Sequence, residues 1–370
     1  MANRIYYACQ SVQINGPSGT LRALGTEYDT IQGLQSVGMN TNFNLEPIYQ
    51  MGQIDLYDNY EEIPEVEITL SKVLDGYPTI YSMSMGTGTL ASLANNRCGV
   101  RMSLYPDIQT QATGTPSASV ECLPAYLSSV SYKFPTEGNF TEDVTLVSND
   151  KVWATGTALT AASMTGVSLA TSTPNPDVGI LRRGLWSKNT ILPNSGDASN
   201  TVSGIISSNS GGIPSGSKIN NVTVSMNLGR EQIRELGSRT PYYRYIKFPV
   251  EITTEIEVTA NTGDMVGVYG STSGNCSNPK ALTNKQIVIR LCDGTTLDLG
   301  SKNKLTSVNF TGGDTGGSNA TVTYSYTTYS EFNYTGPTGT SGYQSPGSGL
   351  AYSGAGGVVE SGLPVPGTDY

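Results

Sequence analysis

The stretch Ile246-Lys-Phe-Pro-Val-Glu-Ile-Thr-Thr-Glu-Ile-Glu-Val258 alternates apolar and polar residues along its length. Ile246, Phe248, Val250, Ile252, Thr254, Ile256 and Val258 fall on one side, and Lys247, Pro249, Glu251, Thr253, Glu255 and Glu257 on the other. A period of two belongs to an extended chain with one face packed and one in water, so the segment reads as a long β-strand. Pro249 has no N–H to give a neighbouring strand, which predicts an edge or a bend there. Just ahead, Glu231-Gln-Ile-Arg-Glu-Leu-Gly237 has an acid at its start, apolar residues three apart and a closing glycine. That pattern predicts one or two helical turns ended by a left-handed glycine.

The same order occurs earlier in the chain. Slid against itself by 185 residues, the sequence is identical at nine positions between Val37 and Thr69, namely Val37/Val222, Asn42/Asn227, Glu46/Glu231, Ile48/Ile233, Gly52/Gly237, Tyr57/Tyr242, Tyr60/Tyr245, Pro64/Pro249 and Thr69/Thr254. Glu46 to Gly52 repeats the helical-turn pattern with Pro47 at a first-turn position, and Pro64 again precedes alternating Val66, Ile68 and Leu70. A one-residue slip lays Val66-Glu-Ile-Thr69 on Val250-Glu-Ile-Thr253. At an offset of 178, Leu127-Ser-Ser-Val-Ser-Tyr132 matches Leu305-Thr-Ser-Val-Asn-Phe310, and Val144-Thr145 matches Val322-Thr323. Two blocks in the same order in each half predict a duplicated domain.

Further strands are expected at Val130 to Phe134, Gln286 to Leu291 and Thr321 to Tyr326, with Asp293-Gly294 as a two-residue hairpin turn. The fold class read from these patterns is mainly β, in two tandem copies of a sandwich- or barrel-type unit, each with a short helix. The copies occupy residues 1–153 and 218–334. Residues 154–217, rich in Ser, Thr, Asn and Gly, read as a linker or large loop with a candidate strand from Gly179 to Leu185. Residues 335–370 read as a low-complexity arm, extended until a neighbour orders it.

Composition narrows the functions available. Charged residues are 14% of the 370, against a usual ~25%, and 43 are glycine, a turn-rich β profile. There is no histidine, which excludes Ser-His-Asp and Cys-His nucleophile systems and every histidine-bearing zinc or iron site. A net charge of −9 argues against a protein built to grip phosphates. Cys9, Cys98, Cys122, Cys276 and Cys292 are odd in number and form no C-x-x-C pair, so reduced thiols are expected. No apolar run approaches the ~18 residues of a membrane span, and the N-terminus lacks the apolar core of a signal peptide, so no membrane insertion is expected.

Candidate sites are few. The cluster Asp55, Asp58, Glu61, Glu62, Glu65 and Glu67 could supply the acid pair of a glycoside hydrolase, but it reads better as a solvated face. Met85-Gly-Thr-Gly-Thr89 lacks the lysine and spacing of a phosphate loop and reads as a flexible loop. Arg230, Glu231, Arg234, Glu235, Arg239 and Arg244, interleaved with tyrosines, suggest charged contacts between subunits. No residue pattern supports an enzyme, and no cofactor or metal is called for.

Gly33-Leu-Gln-Ser-Val-Gly-Met-Asn-Thr-Asn-Phe43, Met51-Gly-Gln-Ile-Asp-Leu-Tyr57, Ile63-Pro-Glu-Val-Glu-Ile68 and Val73-Leu-Asp-Gly-Tyr77 resemble the tail tube proteins of long-tailed bacteriophages. So do Arg230-Glu-Gln-Ile-Arg-Glu-Leu-Gly237, Tyr245-Ile-Lys-Phe-Pro-Val-Glu251 and Leu297-Asp-Leu-Gly-Ser-Lys-Asn-Lys-Leu305. The resemblance covers roughly residues 30 to 330. It implies a structural virion protein, assembled in the host cytoplasm, whose units close into rings and stack into a DNA-conducting tube. For a duplicated chain it implies a homo-oligomer of three subunits in preference to six. It also implies contact with sheath, tail terminator, tape measure and baseplate proteins, and passage of DNA without specific binding. Glu65, Glu67, Glu255 and Glu257 are the candidate lumen-facing residues on this reading. Other virion parts, such as a distal tail, hub, terminator or capsid decoration protein, are the alternative, and a carbohydrate-binding virion protein is a further one.

Overall fold

The computed structural model describes residues 5, 7–18, 23–24, 28–105, 116–155, 180–182, 213, 218–237, 241, 243–260, 263, 266, 284–313, 315 and 319–337. Most of the loop at 154–217, nearly all of the arm after 335, Arg239 and Cys276 lie outside the described residues. Strands dominate. In the first half they are β1 (Gln10–Asn15), β2 (Pro17–Ser18), β3 (Ala23–Leu24), β4 (Asp29–Thr30), β5 (Leu34–Asn42), β6 (Leu45–Tyr49), β7 (Leu56–Glu61), β8 (Glu65–Val73), β9 (Gly88–Thr89), β10 (Cys98–Leu104), β11 (Ala118–Pro135), β12 (Thr141–Ser148) and β13 (Val152–Thr155). In the second half they are β14 (Lys218–Asn227), β15 (Arg230–Ile233), β16 (Tyr243–Ile246), β17 (Glu251–Thr259), β18 (Val288–Arg290), β19 (Thr296–Asp298), β20 (Lys304–Thr311), β21 (Thr321–Tyr329) and β22 (Asn333–Thr335). Two short helices, α1 (Ile80–Met85) and α2 (Leu90–Leu93), lie in the first half.

The duplication is visible in hydrogen-bond register. One unit is the antiparallel set β5-β8-β12-β11, and the other repeats that order as β14-β17-β21-β20. Both carry a register break at the same places, between Leu34 and Ser36 and between Ile219 and Asn221 in the first strands. The last strands break between Leu127 and Ser129 and between Leu305 and Ser307. Register also corrects three alignments made from sequence. Gly38 faces Thr69 where Thr223 faces Glu255, so Thr69 corresponds to Glu255 and not to Thr254. Thr41 faces Val66 where Met226 faces Ile252, so Val66 corresponds to Ile252 and not to Val250. Leu70 faces Val144 where Ile256 faces Tyr324, so Val144 corresponds to Tyr324 and not to Val322. The errors at Val66 and Val144 are each of two residues, which preserves the buried face and is invisible to an alternation pattern.

The two units are one sheet. The last strand of the first, β11, pairs with the first strand of the second, β14, from Ser129↔Asn227 to Pro135↔Asn221. Eight strands therefore run in the order β5-β8-β12-β11-β14-β17-β21-β20, without closing as a barrel. One face is apolar: Val66, Ile68, Leu70, Val130, Tyr132, Val144, Leu146, Val222, Val224, Ile252, Ile256, Tyr324 and Tyr326 are all buried. The early half of β11 pairs with β10, and the hydrogen-bonded sheet continues from there as β10-β1-β4. β18-β19-β22-β9 forms a small sheet associated with the second, and β9 comes from the first half of the chain. The halves are thus interlocked: the Thr79 hydroxyl donates to Tyr334 Oη at 2.7 Å, and Tyr81 packs on Phe332 and Tyr334.

Three expectations about local structure are overturned. Glu46 to Gly52 and Glu231 to Gly237 are not helical; they form the first arm and tip of the hairpins β6–β7 and β15–β16. The spacing of three that suggested a helix places Met51 and Leu236 at hairpin tips instead, where both are fully exposed. Gly52 and Gly237 do take positive φ, +93° and +91°, as the closing glycines were expected to. Nothing lies within 4 Å of a Cβ built on either, so backbone conformation and not space demands glycine there. The helices that exist lie elsewhere, and among the described residues the second unit has none. Met85-Gly-Thr-Gly-Thr89 is no flexible loop either: it caps α1 through Gly86, and Gly88 and Thr89 pair with Tyr334 and Asn333.

The bend anticipated at Pro249 is present, splitting the long alternating run into β16 and β17. The Asp293-Gly294 turn joins β18 to β19 as expected. At the candidate strand near Gly179, the described residues 180–182 form no strand, but Leu181 is buried, its N–H on the Leu74 carbonyl and its own carbonyl accepting from Phe140.

Candidate functional site

The face of the eight-stranded sheet turned away from the core is made of hydroxyls, amides and a few charges. One row crosses all eight strands as Ser36, Ser71, Asp143, Ser131, Ser225, Thr253, Thr327 and Lys304. The next contains Thr141, Lys133, Thr223, Glu255, Ser325 and Ser307. All four candidate lumen residues, Glu65, Glu67, Glu255 and Glu257, project from this face. The face is mildly acidic and part of its charge is internally matched. Lys133 Nζ lies 2.8 Å from Asp143 Oδ2, and the Ser71 hydroxyl donates to Asp143 at 2.7 Å. Burial works to raise the Asp143 carboxyl, but Lys133 and Ser71 outweigh it and hold it below its ordinary value. An open groove of about 880 Å³ lies on this face around the β11–β14 junction, bordered by Ser131, Thr145, Ser225, Phe248 and Thr253.

The six residues proposed for subunit contact divide differently. Arg230 and Arg244 hold the second unit to the first within one chain. Arg230 Nε donates to the Leu127 carbonyl at 2.6 Å and Nη1 to the Ala94 carbonyl at 2.9 Å. Burial lowers its guanidinium to about 10, opposed by nearby Cys98, Tyr126, Tyr243 and Tyr81. Arg244 reaches Glu65 Oε1 at 2.9 Å and Asn149 Oδ1 at 3.0 and 2.9 Å. The Tyr243 hydroxyl adds a bond to the Asn95 carbonyl. Glu231, Arg234 and Glu235 are exposed, and Arg234 pairs with Glu62 at 3.5 Å. The acidic cluster around Asp58 is thus partly engaged by arginines, and the carboxylates of Glu62 and Glu65 serve hairpin docking.

This sets a test of relative weight. Arg244→Ala removes three charge-assisted bonds from a residue only 2% exposed and should lower stability by about 2–4 kcal/mol in urea unfolding. Arg234→Ala loses a largely exposed pair and should change it by under ~0.5 kcal/mol.

What the sequence reading missed is the pair of sheet edges. Among the described residues, no strand pairs with the outer side of β5 or of β20. Tyr132 on β11 is 1% exposed, whereas its counterpart on β20, Phe310, is 49% exposed. Val222 and Val224 on β14 are buried, whereas their counterparts Val37 and Met39 on β5 are half-buried. The hairpins differ in the same way: Arg244 and Ile246 are buried against the first unit, but Leu45, Ile48, Ile54, Leu56, Tyr57 and Tyr60 on β6–β7 stand exposed. The 178-residue match already linked Phe310 with Tyr132; the strand order needed to see that one is covered and the other bare was not in it.

No protein-family model matches this chain, and no curated protein does. Among solved structures, it is similar to a chain of the anti-feeding prophage tube-terminating cap, at 18% identity and a TM-score of 0.31, covering 42% of this chain and 94% of that one. It is also similar to a chain of the anti-feeding prophage baseplate, at 10% identity and a TM-score of 0.32, covering 42% and 98%. Among the described residues, no helix is long and apolar enough to cross a membrane, and no group of three or more metal-ligating side chains occurs.

Proposed function

We propose that this chain is a structural virion protein: the subunit of a phage tail tube, assembled in the host cytoplasm into rings that stack around a channel for DNA. The observation that carries the reading is the internal junction. The chain already joins one four-stranded unit to its duplicate edge to edge through β11 and β14, and among the described residues the equivalent edges, β20 and β5, are bare. Edges of the same kind that match head to tail are heterologous surfaces, and heterologous surfaces generate closed rings or open helices. Bare edges in a soluble chain otherwise invite uncontrolled pairing.

Strand counting favours three chains over two. With neighbouring strands ~4.8 Å apart, about 24 strands set a backbone radius of ~18 Å before tilt widens it, while about 16 strands set only ~12 Å. The first leaves room for a nucleic-acid duplex inside the side chains; the second does not. The polar face would line that channel. Hydroxyls and scattered carboxylates predominate, and Lys133 is tied to Asp143, so phosphates find little cationic hold and DNA passes without being retained. The role proposed is mechanical, with no catalysis; sheath, terminator, tape measure and baseplate proteins are its natural partners.

Negative-stain microscopy of the purified chain tests this directly. Hollow tubes with threefold-modulated, pseudo-sixfold end views are expected; rings that never stack would move the assignment to a tail-end or cap role, and a monomer at all concentrations would end it. A second expectation concerns the lining. Glu67→Lys, Glu255→Lys and Glu257→Lys together should make assembled tubes retain DNA at low salt and release it as salt rises, the signature of phosphate contacts. Tubes as indifferent to DNA as the original would mean these residues face elsewhere.

A further inference from the structure

Resting on that ring reading, the internal junction specifies the junction between chains residue by residue. We infer that β20 of one chain pairs antiparallel with β5 of the next in the register Ser307↔Asn42, Val308↔Thr41, Asn309↔Asn40, Phe310↔Met39 and Thr311↔Gly38. It is the register of β11 on β14, carried over by the duplication. There, Ser129, Val130, Ser131, Tyr132 and Lys133 face Asn227, Met226, Ser225, Val224 and Thr223. Both counterpart strands keep the features that fix such a register. The breaks after Leu34 and Leu305 match those after Ile219 and Leu127, so core-facing residues meet core-facing residues. Phe310 and Met39 then cover one another as Tyr132 and Val224 do, and Asn309 meets Asn40 on the polar face.

The pairing also places a hairpin. β14 leads directly into β15–β16, which lies across the first unit on Leu127, Ala94 and Glu65. β5 leads as directly into β6–β7, and the two hairpins share one register: Glu46↔Tyr60 and Ile48↔Asp58 correspond to Glu231↔Tyr245 and Ile233↔Tyr243. The exposed hairpin β6–β7 therefore docks across the second unit of the copy that supplies β20, near its Leu305 and Glu251. The chemistry of that dock differs from the internal one. Leu45 and Asn59 stand where Arg230 and Arg244 stand, so an apolar side chain and a neutral amide replace the two guanidinium groups.

Cysteine cross-linking tests the register, with Cys276→Ser and Cys292→Ser as background. Asn40→Cys with Asn309→Cys should oxidise to covalent dimers and trimers on a non-reducing gel. Within one chain the two strands sit at opposite ends of the eight-stranded sheet, roughly 34 Å apart, beyond any internal disulfide. Asn42→Cys with Asn309→Cys, displaced by two residues, should cross-link at least about tenfold less. Adding Leu45→Asp to the first pair should cut its cross-linking about tenfold or more; no change would remove the hairpin from the interface. Oligomers by light scattering in which the displaced pair reacts better would overturn the register while leaving ring assembly standing. A monomer by light scattering with neither pair reacting would overturn ring assembly itself.

Discussion

Phe310→Asp is expected to leave a folded chain that no longer assembles. In the free chain Phe310 is 49% exposed at the outer edge, and a surface change of this kind alters stability by no more than about 0.5 kcal/mol. In the ring its position becomes that of Tyr132, closed over by the neighbouring strand. A carboxylate there would be desolvated against Met39 and Val322 with no cation among its expected neighbours. A penalty of about 3 kcal/mol weakens one junction ~100-fold, and three such junctions in one ring compound to ~10⁶. Asn309→Asp, one residue away on the open face, should assemble nearly as the original does. Light scattering across a concentration series reads both, and rings from Phe310→Asp would refute the edge pairing.

Glu142→Ala should be the most destabilising single change in the first unit. The Glu142 carboxylate is fully buried on β12 and accepts from the Ile80 N–H at 2.6 Å, the Tyr81 N–H at 2.9 Å and the Tyr132 hydroxyl at 3.0 Å. With Thr79, whose side chain accepts from the Ser82 N–H, it satisfies the first turn of α1. Alanine strands three buried donors and opens a cavity, a loss of about 4 kcal/mol. Urea unfolding is best measured in the Phe310→Asp background, so that assembly does not contribute to apparent stability.

The pH dependence has a definite sign. Burial raises the Glu142 carboxyl above its ordinary range, opposed by the Tyr81 and Ile80 N–H groups, Lys72 and Tyr132. The folded chain therefore holds this proton to higher pH than the unfolded chain does. This group's contribution to stability is greatest below the ordinary carboxylate range and falls as pH rises through the raised folded value. Glu142→Gln should lose that component of the pH profile.

Neither Glu142 nor the edges could be read from the sequence, and for related reasons. Glu142 alternates with Asp143 in a strand whose period says only that one of the two faces inward; that a helix N-terminus waits there depends on Ile80, 62 residues away. The helix expected at Glu231 to Gly237 failed because these residues pair across a hairpin instead, Glu231 with Tyr245 and Ile233 with Tyr243, and Ile233 and Leu236 stand exposed on it. Apolar spacing over so few residues does not separate a helical turn from a hairpin arm.

The alternation of Ile246 to Val258, its counterpart after Pro64 and the repeated Leu127 and Leu305 blocks were enough by themselves to determine a mainly β, duplicated chain. Side-chain period is a local property, set by which residues must leave water, and a duplicated pattern survives in composition. Only the tertiary structure decided that the duplicates share one sheet through β11 and β14, that Arg230 and Arg244 act inside the chain, and that β5 and β20 are bare among the described residues. Those outcomes depend on hydrogen bonds between strands far apart in sequence, whose register is set by backbone pairing and not by the identity of any one residue.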